Sequence, residues 1–426
     1  MKLFFLACLL GLLYACDTTP TTSTTPTTTT FPSIQTGDWR ATLNINTVDS
    51  PLLLPFNIQV VAKAAPNQLP TLIIQNGEET IEITEIVQDS SNPKAFVFDL
   101  PVFNATITAS LDENTLVGQW NNYAKKDYSL PFRAEHNSTK RFLETTAPTT
   151  PFAKRWKVMF SPNTPDAYPA VGLFEVESNG RTTGTFLTET GDYRFLEGHF
   201  DGQFLQLSCF DGAHAFLFNA TLNEAGELHG RFWSGSHWKE AWMATPSEEF
   251  QLADMQSLTY LKEGYEQLEF AFPDMTGDTV VYDSSVFKNQ VTIVQISGSW
   301  CPNCMDASRF FGQLYQSYQS KGLEIVAIDY ELQNSFELFK TNESKLRRDL
   351  KIDYPVLFGG LANKKEASKT LPMLNHILSY PTAIFVDKKG KVRAIHTGFS
   401  GPGTGDIYRK YIRETEAFIQ QLLAEE

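Results

Sequence analysis

The stretch from residue 291 to residue 307 limits most strongly what this chain can fold into. Val291 to Ile296 is an apolar, β-branched run of strand length. Beyond it, apolar residues recur at helical spacing, at Ala307, Phe310, Phe311, Leu314 and Tyr318. The pattern predicts a strand that leads into a helix, with Cys301 and Cys304 at the junction.

A cysteine at the start of a helix is chemically activated. The helix N-terminus presents unpaired N–H groups and partial positive charge, which stabilise a thiolate and lower the pKa of a thiol there. We predict that Cys301, the nearer to solvent, is the attacking thiolate. Cys304, one turn further in, would resolve the mixed disulfide by attacking Cys301. The pair is then a redox-active disulfide that needs no cofactor, and we predict no metal ion.

The segment resembles the active site of the TlpA/ResA-type thiol–disulfide oxidoreductases, a branch of the thioredoxin superfamily. Downstream, the sequence Ser-Tyr-Pro-Thr-Ala-Ile-Phe-Val-Asp at 379–387 resembles that family's cis-proline loop and following strand. A turn, a second strand and a final helix follow, so the resemblance spans about residues 268–424. It implies a thioredoxin-like α/β domain at 268–426, with predicted helices at 332–351 and 364–376.

The resemblance also implies a substrate groove. Tyr380–Pro381 would be a cis peptide bond, and the exposed backbone beside it would pair with an extended substrate peptide. Trp300 would cover Cys301 and form one wall of the groove, with Pro302 beside it. These four residues are therefore the predicted substrate-contacting set.

Two positions depart from the family pattern. Gln295 stands where thioredoxins usually carry a buried Asp, and Ala307 stands where TlpA/ResA-type proteins often have Glu. Cys304 must lose its proton in apolar surroundings, which raise the pKa of a thiol. With both carboxylates missing, we expect slow release of the mixed disulfide.

The N-terminus resembles the precursor of a bacterial lipoprotein. Leu3 to Leu13 is an apolar run of eleven residues, too short to span a bilayer. Leu-Tyr-Ala-Cys at 13–16 resembles a lipobox, which implies a signal peptide at 1–15 and a lipid on Cys16; an ordinary secretory signal is the alternative. Residues 16–36 are nearly all Thr, Pro and Ser, typical of an extended tether.

The middle of the chain predicts β structure twice, at 37–142 and at 153–245. Phe-Asn-Ala-Thr-Ile at 103–107 recurs as Phe-Asn-Ala-Thr-Leu at 218–222, which indicates a duplicated unit. The fold class is therefore a multidomain chain, with a duplicated antiparallel β barrel or sandwich region before the thioredoxin-like domain. The sequence pattern does not decide whether each repeat forms its own small barrel or the two together build one larger barrel or sandwich. Residues 246–267 form a partly helical linker.

Within these units we predict a meander of short strands. Thr80 to Ile86 is expected to form one of them. The six tryptophans of the region favour core packing over a ligand site. Cys209 lies on the apolar face of its strand, which favours a buried, inert thiol.

Three functions compete. The first is a lipid-anchored thiol–disulfide oxidoreductase in the cell envelope, facing the periplasm from either the inner or the outer membrane. It would act as a reductase on protein thiols and disulfides and be recharged by a membrane thiol donor. The second is a non-catalytic binding or adaptor lipoprotein whose β domains hold a ligand or partner. The third is metal handling, for which the sequence lacks the extra ligands that a metal site needs.

The net charge of the chain is −14, and the sequence contains no basic block, which argues against nucleic-acid binding.

Replacing Cys16 with Ser should leave an unlipidated product, either soluble or uncleaved, because the lipid-bearing thiol is lost. The mass of the mature chain and its partition between membrane and soluble fractions measure this. Cys8→Ser is the matched control, since Cys8 leaves with the signal peptide. Unchanged mass and membrane partition in Cys16→Ser would contradict the lipid anchor.

Overall fold

The computed structural model describes residues 33–46, 50–64, 68–142, 146–283 and 285–425. The predicted signal peptide, Cys16 and most of the predicted tether lie outside these residues. Among the described residues, no helix is both long and apolar enough to cross a membrane.

The first β-rich repeat forms a nine-stranded antiparallel sheet. Its strands are β1 (Gly37–Asn44), β2 (Leu53–Val61), β3 (Thr71–Asn76), β4 (Glu79–Ile83), β5 (Ile86–Gln88), β6 (Ala95–Asp99), β7 (Ala105–Asp112), β8 (Thr115–Asn122) and β9 (Ser129–His136). Consecutive strands pair as a meander, as the sequence predicts, except that β4 and β5 occupy opposite edges while β1 pairs with β9. Only two residues link β4 to β5, so the two edges of the rolled sheet must lie close together.

The prediction of one strand from Thr80 to Ile86 is wrong. The strand ends at Ile83, and Ile86 begins the next one at the other edge of the sheet. The physical reason is the phase of the pattern. Ile81 and Ile83 are two residues apart, but Ile86 follows after three, so it cannot share their face in one strand.

The second repeat forms a separate sheet that closes on itself. Its strands are β10 (Arg155–Phe160), β11 (Tyr168–Val176), β12 (Arg181–Thr188), β13 (Gly191–Asp192), β14 (Leu196–Phe200), β15 (Phe204–Phe210), β16 (Ala215–Leu222), β17 (Leu228–Ser234) and β18 (Trp238–Pro246). β10 pairs with both β11 and β18, and β12 pairs with both β11 and β14, which completes a ring. Each repeat therefore builds its own sheet.

Aromatic side chains fill this ring. Phe186 is fully buried and lies against Phe218 and Trp242, with ring centroids 4.7 and 5.2 Å apart. Cys209 is a buried free thiol in the same core, and burial raises its pKa well above the ordinary value, as expected for an inert thiol. The prediction that the tryptophans pack in the core is confirmed for Trp39, Trp120, Trp156 and Trp242, whereas Trp238 is half-exposed.

The C-terminal part is a thioredoxin-like α/β domain. Its strands are β19 (Phe270–Pro273), β20 (Thr279–Tyr282), β21 (Val291–Ser297), β22 (Leu323–Glu331), β23 (Val356–Leu361), β24 (Thr382–Val386) and β25 (Val392–Thr397). Its helices are α2 (Pro302–Tyr318), α3 (Phe336–Leu350), α4 (Lys364–Thr370) and α5 (Asp406–Ala424), preceded in the linker by α1 (Met255–Leu258). The five-stranded sheet has the order β23-β22-β21-β24-β25. The parallel β21–β22 pair and the antiparallel β24–β25 pair confirm the sequence prediction.

Two predicted helices are shorter than expected. α3 begins only after Ser335, whose side chain accepts a hydrogen bond from the N–H of Leu338 and caps the helix. α4 ends at Thr370 because Pro372 follows closely and disfavours helical geometry in the residue before it.

Phe186→Ala should lower the free energy of unfolding by about 3–5 kcal/mol, because it opens a cavity among buried rings. Phe204→Ala is the matched control. Phe204 is 49% exposed at the start of β15, so its loss should cost about 1 kcal/mol or less. Equilibrium denaturation of the full chain measures both values. Equal losses would contradict the role of the aromatic core.

Candidate redox site

Cys301 and Cys304 lie at the first turn of α2. Cys301 is the N-cap of that helix, and its Sγ accepts a hydrogen bond from the N–H of Cys304 at 3.2 Å. The two residues form a disulfide with their Cα atoms 5.2 Å apart. Cys304 is fully buried whereas Cys301 is 7% exposed, so Cys301 is the nearer to solvent, as the helix geometry predicts. The backbone N–H that would stabilise a Cys301 thiolate is in place.

Three of the four predicted groove residues gather around Cys301. The Tyr380–Pro381 bond is cis, and the carbonyl oxygen of Tyr380 lies 3.4 Å from the Sγ of Cys301. The rings of Trp300 and Tyr380 meet edge to face at 5.7 Å. Pro302, the residue after Cys301, lines a separate cavity of about 520 Å³ that Asp306 also lines.

Around Gln295 and Cys304 the structure holds an amide and hydroxyls, and the carboxylate that the family resemblance led us to expect is absent from positions 295 and 307. The Nε2 of Gln295 donates to the Oγ of Ser308 at 3.0 Å, and its Oε1 accepts from the hydroxyl of Tyr354 at 3.3 Å. Ala307 is buried beside them. The side chain of Gln295 is thus held in place by neutral partners.

The structure also places buried acids near the redox loop, which the sequence analysis missed. The Oγ of Ser299, two residues before Cys301, donates to Glu331 at 2.8 Å, and the Nδ2 of Asn342 donates to the same oxygen at 3.1 Å. Burial raises the pKa of Glu331, and it raises that of Glu343 to about 7. Glu331 ends β22, beside the carboxyl end of the parallel strand β21. Functional sites of α/β sheets lie at the carboxyl ends of parallel strands, so this position of Glu331 could have been recognised from the sequence.

A hairpin of the second β repeat, residues 188–194, lies directly on the redox face. We call it the cover hairpin. The Oγ of Ser379, two residues before the cis proline, donates to the carbonyl oxygen of Thr190 at 2.8 Å. Gly398 has a φ of +78° and lies so close that a Cβ there would be 2.8 Å from the carbonyl carbon of Thr190. Only a glycine allows this approach.

The cover hairpin also contacts Asn303, which lies between the two cysteines. The Nδ2 of Asn303 donates to the carbonyl oxygens of Asp192 and Phe399, at 3.3 and 3.2 Å. The carboxylate of Asp192 accepts a hydrogen bond from the N–H of Gly401 at 2.6 Å. The cover hairpin therefore joins the start of α2 to the loop after β25.

The expectation of exposed backbone beside the cis proline is wrong. Ser379 and Tyr380 are 2% and 7% exposed, and Pro381 is buried too. The reason is the cover hairpin, which supplies an intramolecular partner at the place where an extended substrate peptide was expected.

A buried arginine fastens the cover hairpin to both neighbouring units. Arg194 forms ion pairs with Glu79 of β4 at 2.6 Å, with Asp211 at 3.3 Å, and with Asp306 of α2. Asp306 also pairs with Arg309 at 2.8 Å. Arg194, Asp211 and Asp306 are each at most 5% exposed at the side chain, so these three charged groups are buried together.

The charges of this cluster depend on one another. Burial alone would raise the pKa of Asp211, but His214 and Arg194 outweigh it and lower that pKa to about 2. For Glu79, burial exceeds the attraction of Arg194, and the pKa is raised. Burial would lower the pKa of Arg194, but the surrounding carboxylates raise it, so the guanidinium stays charged.

Comparisons with known proteins match the C-terminal domain. Residues 264–395 match the AhpC/TSA family. The chain is 29% identical over 129 residues to the thiol-disulfide oxidoreductase ResA of Bacillus thuringiensis subsp. konkukian, which covers 30% of this chain and 66% of that protein. It is 26% identical over 127 residues to the sporulation thiol-disulfide oxidoreductase A of Bacillus subtilis, covering 30% and 69%.

Among solved structures, the chain matches a thiol:disulfide interchange protein of the thioredoxin family from Chlorobium tepidum TLS. That chain is 18% identical, and the match covers 38% of this chain and 99% of that one, with a TM-score of 0.29.

Arg194→Met should lower the free energy of unfolding by about 3–5 kcal/mol near neutral pH, because it leaves buried carboxylates without their cation. In the parent chain, the low pKa of Asp211 adds stability above pH 3.8 that is lost as the pH falls toward about 2. In the variant, the carboxyls that lose Arg194 have raised pKa values and take up protons on folding. The variant's deficit should therefore be smaller at about pH 5 than at about pH 8.

Denaturation of both chains at the two pH values measures this. Arg133→Met is the matched control, because Arg133 and its partner Glu135 are 53% and 50% exposed. Its loss should cost at most about 1 kcal/mol. A deficit for Arg194→Met that matches this control, or that grows at low pH, would contradict the importance of the cluster.

Proposed function

We propose that this chain, whose residues 264–395 match the AhpC/TSA family, is a thiol–disulfide oxidoreductase that uses Cys301 and Cys304. One observation carries the proposal. The Sγ of Cys301 lies at the N-terminus of α2, accepts the N–H of Cys304, and sits 3.4 Å from the carbonyl oxygen before the cis proline. The relatives named as thiol-disulfide oxidoreductases support it.

The reaction follows from the two thiols. In the reduced chain the Cys301 thiolate attacks one sulfur of a substrate disulfide, that S–S bond breaks, and one substrate thiolate leaves. Cys304 then loses its proton and attacks the Sγ of Cys301, which releases the second substrate thiolate. The substrate gains two electrons and the chain ends with the Cys301–Cys304 disulfide. Glu331, which accepts a hydrogen bond from Ser299 two residues before Cys301, is the buried carboxylate that we propose for the proton step.

We further propose that the protein acts as a reductase in the cell envelope, anchored by lipid on Cys16. Protein disulfides would be its substrates, and a membrane thiol donor would return electrons to Cys301 and Cys304. The lipobox-like sequence at 13–16 and the Thr/Pro-rich tether support the location.

A second function, binding without catalysis, is favoured by the cover hairpin, which buries the redox face. In that case the disulfide would be structural, with a reduction potential below about −300 mV. A redox protein would equilibrate with glutathione or thioredoxin-like buffers, between about −270 and −120 mV. Equilibration in dithiol buffers, followed by counting free thiols, separates the two functions.

Cys301 should react with iodoacetamide at lower pH than Cys304, because the helix N-terminus stabilises its thiolate while Cys304 is fully buried. Alkylation of the reduced chain, mapped by mass spectrometry, measures the two rates. In the Cys304→Ser variant, oxidised glutathione should leave one stable adduct, on Cys301. Cys209→Ser removes the remaining buried thiol and should change neither result. Faster alkylation of Cys304 would reverse the assigned roles.

A further inference from the structure

A chamber of about 760 Å³ lies between the two β repeats and the redox loop. Ser299 and Trp300, the two residues before Cys301, form part of its wall, and Lys125 of the first repeat and Trp238 of the second form other parts. Its volume falls in the range of small-molecule sites, which are mostly apolar with a few placed polar groups. Both β repeats and the redox loop therefore contribute side chains to the wall of one chamber.

The wall from the second repeat is aromatic, and its one carboxylate is fully engaged. Tyr168 and Trp238 donate to the Oε1 of Glu240 at 2.9 and 3.0 Å, and the Oγ of Ser161 donates to its Oε2 at 2.6 Å. Glu240 is therefore held by the barrel wall itself. It has little left to offer a ligand.

The wall from the first repeat carries a cation without a counter-ion. The Nζ of Lys125 lies 3.3 Å from the Nε2 of His237 and 4.8 Å from the ring centroid of Tyr128. Among the residues that the structure describes, no carboxylate lies within ion-pair distance of it. Burial lowers the pKa of Lys125 to about 8 and that of His237 to about 4, so at neutral pH the ammonium is charged and the imidazole is not. A half-buried, unpaired ammonium is costly until an anion reaches it.

The other sides of the redox loop offer less room. The cover hairpin closes the face beside the cis proline through Thr190 and Asp192. The cavity of about 520 Å³ that touches Pro302 has both of its arginines paired with carboxylates, Arg194 with Glu79 and Arg309 with Asp306. Of these cavities around the redox loop, as far as the described residues form them, the chamber is the one that combines an apolar wall, an unpaired cation and the two residues before Cys301.

We propose that the chamber is a substrate entrance of the redox site and that, besides the protein disulfides proposed above, it selects small thiols or disulfides with an aromatic body and an anionic group placed against Lys125. This inference rests on the proposed function. The aromatic body would stack among Trp238 and its neighbours. The anionic group would supply the counter-ion that Lys125 lacks.

Two aromatic disulfides test this selectivity, namely anionic 5,5′-dithiobis(2-nitrobenzoate) and neutral 4,4′-dithiodipyridine. With either one, the Cys301 thiolate breaks the disulfide and releases one aromatic thiolate. Cys304 then displaces the second and leaves the oxidised chain, two electrons poorer, while its thiol proton passes to solvent. Stopped-flow absorbance of the released thiolates gives both rate constants for the full, pre-reduced chain.

Lys125→Met should lower the ratio of the anionic to the neutral rate constant roughly tenfold or more, the effect of losing one charged hydrogen bond. Lys125→Arg should retain most of the ratio, and Lys125→Gln gives a second test should Lys125→Met fold poorly. Lys94→Met, which removes an exposed lysine from the turn before β6 of the same β repeat, should leave the ratio unchanged.

An unchanged ratio in both Lys125→Met and Lys125→Gln would overturn the chamber proposal and leave the oxidoreductase proposal standing. If the parent chain reacts with neither disulfide faster than Cys301→Ser does, the proposed function itself fails. The two failures are therefore distinguishable.

Discussion

The ion pairs of Arg194 are the interaction on which the arrangement of this protein depends. One buried guanidinium meets carboxylates from β4, from the second β repeat and from α2. Desolvating such charges costs several kcal/mol per ion, so the cluster adds little net stability compared with a packed apolar contact. Its strength lies in geometry. In the observed placement, three carboxylates from three parts of the chain reach the same cation, and the cover hairpin lies on the redox loop.

The local features of the redox site could be predicted from sequence because neighbouring residues determine them. A β-branched run, a Cys-x-x-Cys pair and a helical repeat follow within about thirty residues, and Tyr380–Pro381 precedes an apolar strand. The cover hairpin could not be predicted in this way. Its contacts join Thr190 and Asp192 to residues 303 and 379–401, and no local pattern records such a pairing.

The misread elements have local causes as well. The phase change between Ile83 and Ile86 was present in the sequence, as was the proline that stops α4. Glu331 is a different case, because its position at the end of a parallel strand could be predicted from the sequence, whereas its hydrogen-bond partners could not. Ser299 and Asn342 hydrogen-bond to it from separate elements.

Asn303 places the redox pair and the cover hairpin in thermodynamic linkage. It lies between the two cysteines and donates a hydrogen bond to Asp192, so the chemistry and the docking share one residue. If docking differs in free energy between the dithiol and the disulfide, the reduction potential of the docked chain must shift by the same free energy. For a two-electron couple, about 1.4 kcal/mol of such preference corresponds to about 30 mV. The cover hairpin therefore acts as an intramolecular ligand of the redox loop. Its effective concentration is set by the covalent connection between the second β repeat and the C-terminal domain.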